Sequence, residues 1–453
     1  MKIRAGFVGF GEVNTPREFI DNRCRAVETE LRRRGVTLVA AAPVADDPAG
    51  SQAERAVKEL QSGCFDALVV CIAGWIPSWA VIKVIENFRS LPILLWGLSG
   101  WNDGGRFVTT ADQAGSTALR AVLEELGYRF RYLVNFRDAP PRCDEALEFL
   151  TAASAAAELR QAVIGMAGYR DMRLYGTMYD GLLLKRVLGL EIEHFDLAEV
   201  QTAMSLADDD AIAAARAHIR RHWQFVRPPQ PATLDQSIRL ALAFKRKLLE
   251  RRYRAFSFCD VDGIKKLFRF APAGAMTLLH DELAIPTVPE NDAYGTATAL
   301  LLQQLTGQLP FYLEFYEFSS RSALMGVPDY VPSAAVDGRV TILPNTFGSF
   351  GEGLLNVSKL KTGTVTLARL SVKDGRFRLH AAVAEATAPA SWEEAGWAPP
   401  APQLPSLEMN FAFPADDFLA EVAGQHYIVC YGDRLGVLRQ YCAIAGIDSV
   451  ETR

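Results

Sequence analysis

The stretch PENDAYGTATALLLQQLTGQLPFYLEF, residues 289–315, decides how this chain is read. Two apolar runs, IPTVPE and LPFYLE, each carry an acid at or near their end, Glu290 and Glu314. Between them, Ala293 to Leu305 is rich in alanine and leucine, the composition of a helix. The unit reads strand, helix, strand. An acid that closes an apolar strand cannot stay charged, buried and alone, because desolvating an isolated carboxylate is prohibitive. It needs a cation, a set of hydrogen bonds or a shared proton. Two such acids, one helix apart, have the chemistry to hold a divalent metal or to serve as an acid/base pair. The same spacing also fits two solvated glutamates at strand ends.

Upstream, apolar strands alternate with helical segments. IRAGFVGF, VTLVAAAPV, ALVVCIAG and PILLWGL read as strands, and Pro16 to Arg34 and Gln52 to Gln61 as helices. Continuous apolar strands between helices indicate a parallel sheet covered on both faces. A polar break, RDAPPRCDEA, and an alanine-rich helix from Glu145 to Leu159 end this first α/β domain, expected over residues 1–157. A second, over residues 158–307, holds the strands QAVIGM, AFSFCDV and AIPTVPE, a strand within LEIEHFDLAEV, and helices at Tyr179 to Leu188 and Leu234 to Tyr253. From residue 308 the texture turns β-rich, in RVTILPN, GTVTLARLSV, GRFRLHAAVAEA and HYIVCYG. The expectation there is a third domain over residues 308–453, a β-barrel or sandwich, closed by a helix from Asp433 to Ala445. The Pro/Ala-rich stretch at residues 386–405, with Trp392 and Trp397, reads as a long functional loop.

The 453 residues carry a formal net charge of -5, which argues against nucleic acid or an anionic membrane as the main partner. No apolar run reaches the length of a membrane span, and the first strand lacks a cleavage signal, so a cytoplasmic protein is expected. The seven cysteines are scattered without a C-x-x-C pair, which implies neither a disulfide framework nor a zinc ribbon.

Several motifs carry little. Gly6, Gly9 and Gly11 lie near the first strand, but Asn14 stands where a dinucleotide fingerprint needs its third glycine. His218 and His222 share a helix face, yet Arg220 and Arg221 between them repel a cation. The run KRKLLERRYR reads as a solvated helix face. His194, His280 and His380 read as structural. His426 differs: it enters an apolar strand from a small-residue turn in AGQHYIVCYGD. An imidazole joining two glutamates would make a mixed oxygen/nitrogen site, suited to Mn²⁺, Co²⁺, Fe²⁺ or Mg²⁺.

Three of these stretches together resemble the L-fucose isomerase and L-arabinose isomerase family of metal-dependent aldose–ketose isomerases. They are PENDAYGTATALLLQQLTGQLPFYLEF, with its E-N-D and Q-L-T-G; KTGTVTLARLSVKDGRFRL; and GQHYIVCYGD. YRDMRLYGTMYDGLLLKRVLGLEIEHFDLAEV is similar to the start of the family's middle domain. The resemblance spans most of residues 160–445. It implies two flavodoxin-like, doubly wound α/β domains followed by a β-barrel. It also implies a divalent metal, Mn²⁺ first with Co²⁺ or Mg²⁺ as substitutes, held by Glu290, Glu314 and His426. Glu290 and Glu314 would be the catalytic carboxyls. Glu314 follows the arabinose-type choice of second acid, while SSRSALMGVPDYVPSAA lacks the further histidine of arabinose isomerases. In the family a neighbouring subunit's N-terminal domain covers the active site. A homo-oligomer, hexamer or trimer, is therefore implied, with Arg17, Trp75, Trp392 and Gln425 as candidate sugar contacts.

Two other readings stay open. The first is the same isomerisation on an anionic hexose, sulfonated (such as sulfoquinovose) or phosphorylated, which would need arginines such as Arg170, Arg173 or Arg321 at the pocket mouth. The second is a non-catalytic sugar-binding protein built from two α/β domains.

Overall fold

The computed structural model describes residues 2–326, 330–346, 350–389 and 404–453. Trp392 and Trp397, with most of the Pro/Ala-rich loop, lie outside the described residues. Two compact units emerge, Met1–Ala157 with Gly436–Ala445, and Glu158–Leu435 with Gly446–Arg453.

In the first unit the apolar runs form strands β1 (Ile3–Phe10), β2 (Val36–Val44), β3 (Ala67–Ile72) and β4 (Ile93–Gly97). A small hairpin follows, β5 (Trp101–Asp103) and β6 (Arg106–Val108), and then β7 (Phe130–Val134). The parallel order β2-β1-β3-β4-β7 is that of a doubly wound, flavodoxin-type sheet. Helices α1 (Arg17–Arg33), α2 (Ser51–Leu60), α3 (Ser78–Ile85), α4 (Asp112–Glu125) and α5 (Cys143–Leu159) complete the fold. On α1 the buried residues are Ile20, Cys24 and Leu31, one stripe at helical spacing. The early glycines serve this packing. A Cβ on Gly9 would lie 2.2 Å from Cys24 Sγ, and one on Gly11 2.4 Å from the Ile20 side chain, so both let α1 sit close to β1.

The second unit opens with another parallel sheet. Its strands are β8 (Val163–Ala167) and β9 (Glu191–Phe195), joined by helix α6 (Gly181–Leu188). The strand expected within LEIEHFDLAEV stops at Phe195, because the Asp196 side chain accepts from Ala198 N at 2.8 Å and caps α7 (Leu197–Ser205). Then come α8 (Asp209–His222), a short β10 (Trp223–Phe225), α9 (Pro231–Arg251) and β11 (Ala255–Phe258). A π-helix over Asp260–Phe268, helix α10 (Ala273–Leu283), β12 (Thr287–Pro289) and α11 (Ala293–Thr306) finish the parallel layer, in the order β12-β11-β8-β9.

The chain then enters antiparallel structure with β13 (Phe311–Ser319) and β14 (Ser322–Gly326). Strands β15 (Val340–Thr346) and β16 (Glu352–Asn356) form a separate sheet with β10. Next are β17 (Gly363–Lys373), β18 (Arg376–Thr387), β19 (Ser406–Asn410), helix α12 (Ala415–Leu419) and β20 (His426–Tyr431). Helix α13 (Leu435–Ala445) and β21 (Asp448–Thr452) end the chain. The large sheet runs β17-β20-β13-β14-β19-β18-β21, and β17 also pairs with β18. Asp374 and Gly375, both at positive φ, make the tight turn of that last pair.

Sequence alone suggested a separate third domain from residue 308. Instead one continuous core runs from Ala167 and Phe256 to Leu367 and Val429. Helix α11 explains this: it packs on β11 and β12 of the parallel sheet and on β17, β20 and β13 of the antiparallel one. It is buried on nearly every face, as its alanine and leucine content requires. The helix expected to close the barrel, α13, groups with the first unit from Gly436 onward.

Candidate functional site

Ligands of open parallel sheets sit beyond the carboxyl ends of the strands, where strand order reverses. In the second unit that place is the ends of β8 and β11, and Asn291 spans it. Asn291 donates from Nδ2 to the carbonyls of Ala167, at 3.1 Å, and Tyr169, at 2.5 Å, and its backbone N–H donates to Phe258 O. Both Glu290, at φ 65, and Asn291, at φ 51, adopt the left-handed conformation. Two consecutive non-glycine residues there cost on the order of 1–2 kcal/mol each, and such strain concentrates at working sites. The reward is geometric: Glu290 turns off β12 and its side chain is buried.

Glu314 reaches the same place by another route. It is not at a strand end, as the apolar run suggested; β13 continues through Ser319. Antiparallel register sets Glu314 directly across from His426, the first residue of β20. His426 therefore stands between the two acids, with Nε2 3.2 Å from Glu314 Oε2 and Nδ1 3.8 Å from Glu290 Oε2. Its ring stacks on Tyr312, 4.3 Å between centroids.

The second contact is too long for a hydrogen bond, and Glu290 Oε2 is buried without a hydrogen-bond partner. Burial, with Asp260, Asp292, Glu314 and Asp171 adding negative charge, pushes the Glu290 carboxyl up to about 8. Burial holds the His426 imidazole below its usual range, against the opposing pull of Glu314, so the ring is neutral near pH 7. The site offers two carboxyl groups, that of Glu290 holding its proton near pH 7, with one neutral imidazole. That donor set suits a hard or borderline divalent cation.

As they stand, the groups form a chain in which each ring nitrogen faces a different acid. Among the described residues no group of three or more His, Cys, Asp or Glu side chains is arranged to hold a metal. Binding a cation would require the three side chains to turn toward a common centre.

The next layer of side chains was missed by sequence reasoning. Asp292 caps α11, accepting from Gly295 N at 2.9 Å. It also pairs with Arg369 of β17, at 2.7 Å, and accepts from Tyr312 Oη at 3.0 Å. Both charges are buried, and the Arg369 guanidinium holds the Asp292 carboxyl below the usual range against its own desolvation. Asp292 was visible as the last letter of E-N-D, and Arg369 as a charge inside the apolar strand TLARLSV. Asp260 pairs with Lys265 at 2.9 Å inside the π-helix, and both are buried.

The other candidates divide. Gln425 lies beside the site, its Nε2 3.5 Å from His426 Nε2. Arg17 and Trp75 belong to the first unit, both partly exposed, at 43 % and 40 %. Arg17 bonds to Asp21, Gln52 and the Pro43 carbonyl. Trp392 lies outside the described residues. Arg321 donates to the Ala412 carbonyl, and Arg170 covers the Tyr175 ring. His218 bonds to Asp281, His194 to Tyr179 and the Gly168 carbonyl, and His380 to Tyr427 and Thr452. A cavity of about 380 Å³ beside Arg369 is lined by Tyr179, Tyr294 and Ala423, and by none of the three candidate ligands.

No family model and no curated protein matches the chain. Among solved structures, an isoflavone reductase aligns at 14% identity over 46% of this chain and 84% of its own, with a TM-score of 0.20. An ABC transporter periplasmic solute binding protein from Actinobacillus succinogenes 130z with bound D-allose aligns at 13% identity, over 68% of this chain and 93% of its own, with a TM-score of 0.17. At such scores neither likeness bears on function. The fold itself is mixed α/β with two parallel sheets, and no helix among the described residues is long and apolar enough to cross a membrane.

Proposed function

We propose that this chain interconverts a free aldose and its ketose, with a divalent cation, Mn²⁺ in the first instance, held by Glu290, Glu314 and His426. The observation that carries the reading is the trio itself: a buried, neutral imidazole between two acids, one of them buried, strained and raised to about 8, with its Oε2 lacking a hydrogen-bond partner. The sequence likeness to fucose and arabinose isomerases supplies the reaction class. In support, the pairings β17–β20–β13–β14–β19–β18 return to β17, which we read as the closed barrel of that family.

Isomerisation moves a proton between C1 and C2 of the sugar through a cis-enediol. A C–H beside a carbonyl is a weak acid, so charge on the adjacent oxygens must be stabilised. The bound cation supplies that electrophilic stabilisation. The two carboxyls then divide the proton work, one accepting from carbon and the other returning a proton. A carboxyl raised by burial beside a second acid is suited to such a division. His426 orients the pair, and Gln425 offers an amide to a sugar hydroxyl. The active form is a cytoplasmic homo-oligomer in this reading.

A ketose assay across aldopentoses, 6-deoxyhexoses and sulfonated or phosphorylated hexoses, with and without Mn²⁺, tests it. Ketose formation from at least one sugar, abolished by chelation and restored by Mn²⁺ or Co²⁺, is the expected result. Turnover indifferent to chelation would remove the metal from the proposal, and no turnover of any sugar would remove the isomerase.

A further inference from the structure

The first unit carries a second site of different chemistry. A cavity of about 410 Å³ lies where the edge strand β7 meets α4, α5 and α13, and every residue lining it belongs to that unit. Four arginines line it, Arg120, Arg129, Arg131 and Arg439, against a single acid, Glu124. Glu124 is already bound to Arg120 at 2.7 Å. In a chain of net charge -5, so many guanidiniums around one hollow are not the average of the surface. Like charges held together repel, so a hollow lined by four guanidiniums favours an anion. The Arg131 Nε is buried and has no hydrogen-bond partner, so part of its donor capacity is unspent. Phe130, Tyr132 and Phe149 also line the hollow and give it apolar surface. Its volume is that of a small-molecule site.

We propose that this cavity binds a compact phosphate dianion, free or as the monoester of a small metabolite. Guanidinium forks match phosphate oxygens in pairs, and a dianion with three or more oxygens can engage several forks at once, which a halide cannot. The aromatic surface would face the organic part of a monoester.

Calorimetric titration of the full-length protein with inorganic phosphate and with glucose 6-phosphate, against chloride at equal ionic strength, tests the assignment. Phosphate is expected to bind saturably where chloride does not. Arg131→Gln and Arg439→Gln are each expected to weaken it about tenfold or more. Tighter binding of the sugar phosphate assigns a monoester, and equal binding assigns free phosphate. Because Arg131 sits in a strand and its loss could disturb folding, Arg439, exposed on α13, decides the matter. Phosphate affinity unchanged in Arg439→Gln, or a chloride effect equal to that of phosphate, would overturn the site.

Discussion

Burial and the neighbouring acids raise the Glu290 carboxyl to about 8, so its surroundings disfavour a lone anion. If Glu290 and Glu314 share the proton work, Glu290→Gln and Glu314→Gln should each lower turnover by about 10²–10⁴-fold while the far-ultraviolet spectrum stays native. Activity near that of the parent in either variant would make that acid structural. His280 supplies a separate, non-catalytic prediction. It is fully buried in α10, both ring nitrogens lack partners, and burial depresses it to about 4. Its folded pKa lies below the unfolded value of 6.5, so the unfolded chain takes up the proton first as the solution is acidified. Native stability is therefore complete above about pH 6.5 and is lost progressively toward pH 4, by on the order of 3 kcal/mol for this one residue. His280→Leu should remove that part of the acid loss and leave stability at pH 8 equal or higher, since no hydrogen bond is forfeited. Chemical denaturation of both proteins at pH 8 and pH 5 measures it, and an unaltered acid loss in the variant would refute the assignment.

At the scale of elements, α11 and β17 are tied by a buried ion pair, and such pairs are costly to break by halves. Asp292→Asn keeps a helix-capping side chain but strands the Arg369 cation, so a loss of about 3–5 kcal/mol is expected by urea denaturation. Adding Arg369→Met should recover most of it, and a double variant no more stable than the single one would show that the pair is not the tie. This junction also marks how far the sequence could be read. Elements whose burial follows a simple period were legible: β1 is an unbroken apolar run, and α1 shows its stripe. The proximity of Glu290, Glu314 and His426 had a signal in the motifs around each. The means of bringing them together had none, because strand register is a long-range choice. Nothing within LPFYLEFYEF announces that Glu314 sits mid-strand opposite His426. Helix α4 went unread because DQAGSTALRAVLEE mixes glycine and serine into its first turns. The π-helix has no period to find, and the partition of α13 depends on packing that appears only in three dimensions.

For the whole molecule, the question is whether one chain suffices. Glu290, Glu314, His426 and Gln425 all belong to the second unit, while Arg17 and Trp75 belong to the first. Trp75 is 40 % exposed although it is a large aromatic, and such rings stack well against sugar C–H faces. The proposed oligomer assigns that ring to the active site of a neighbouring subunit. The consequence is a complementation. Chains bearing Trp75→Ala lack the cover but keep the acids, and chains bearing Glu290→Gln keep the cover but lack an acid. Each alone should be nearly inactive. Unfolded together and refolded as mixed oligomers, they should regain activity, because some sites then combine an intact Glu290 from one chain with an intact Trp75 from its neighbour. Activity of the mixture, assayed against each variant refolded alone, reads this directly. If both residues serve one site within a single chain, every site in the mixture keeps one defect and no activity returns. A Trp75→Ala chain as active as its parent would show instead that the tryptophan covers nothing.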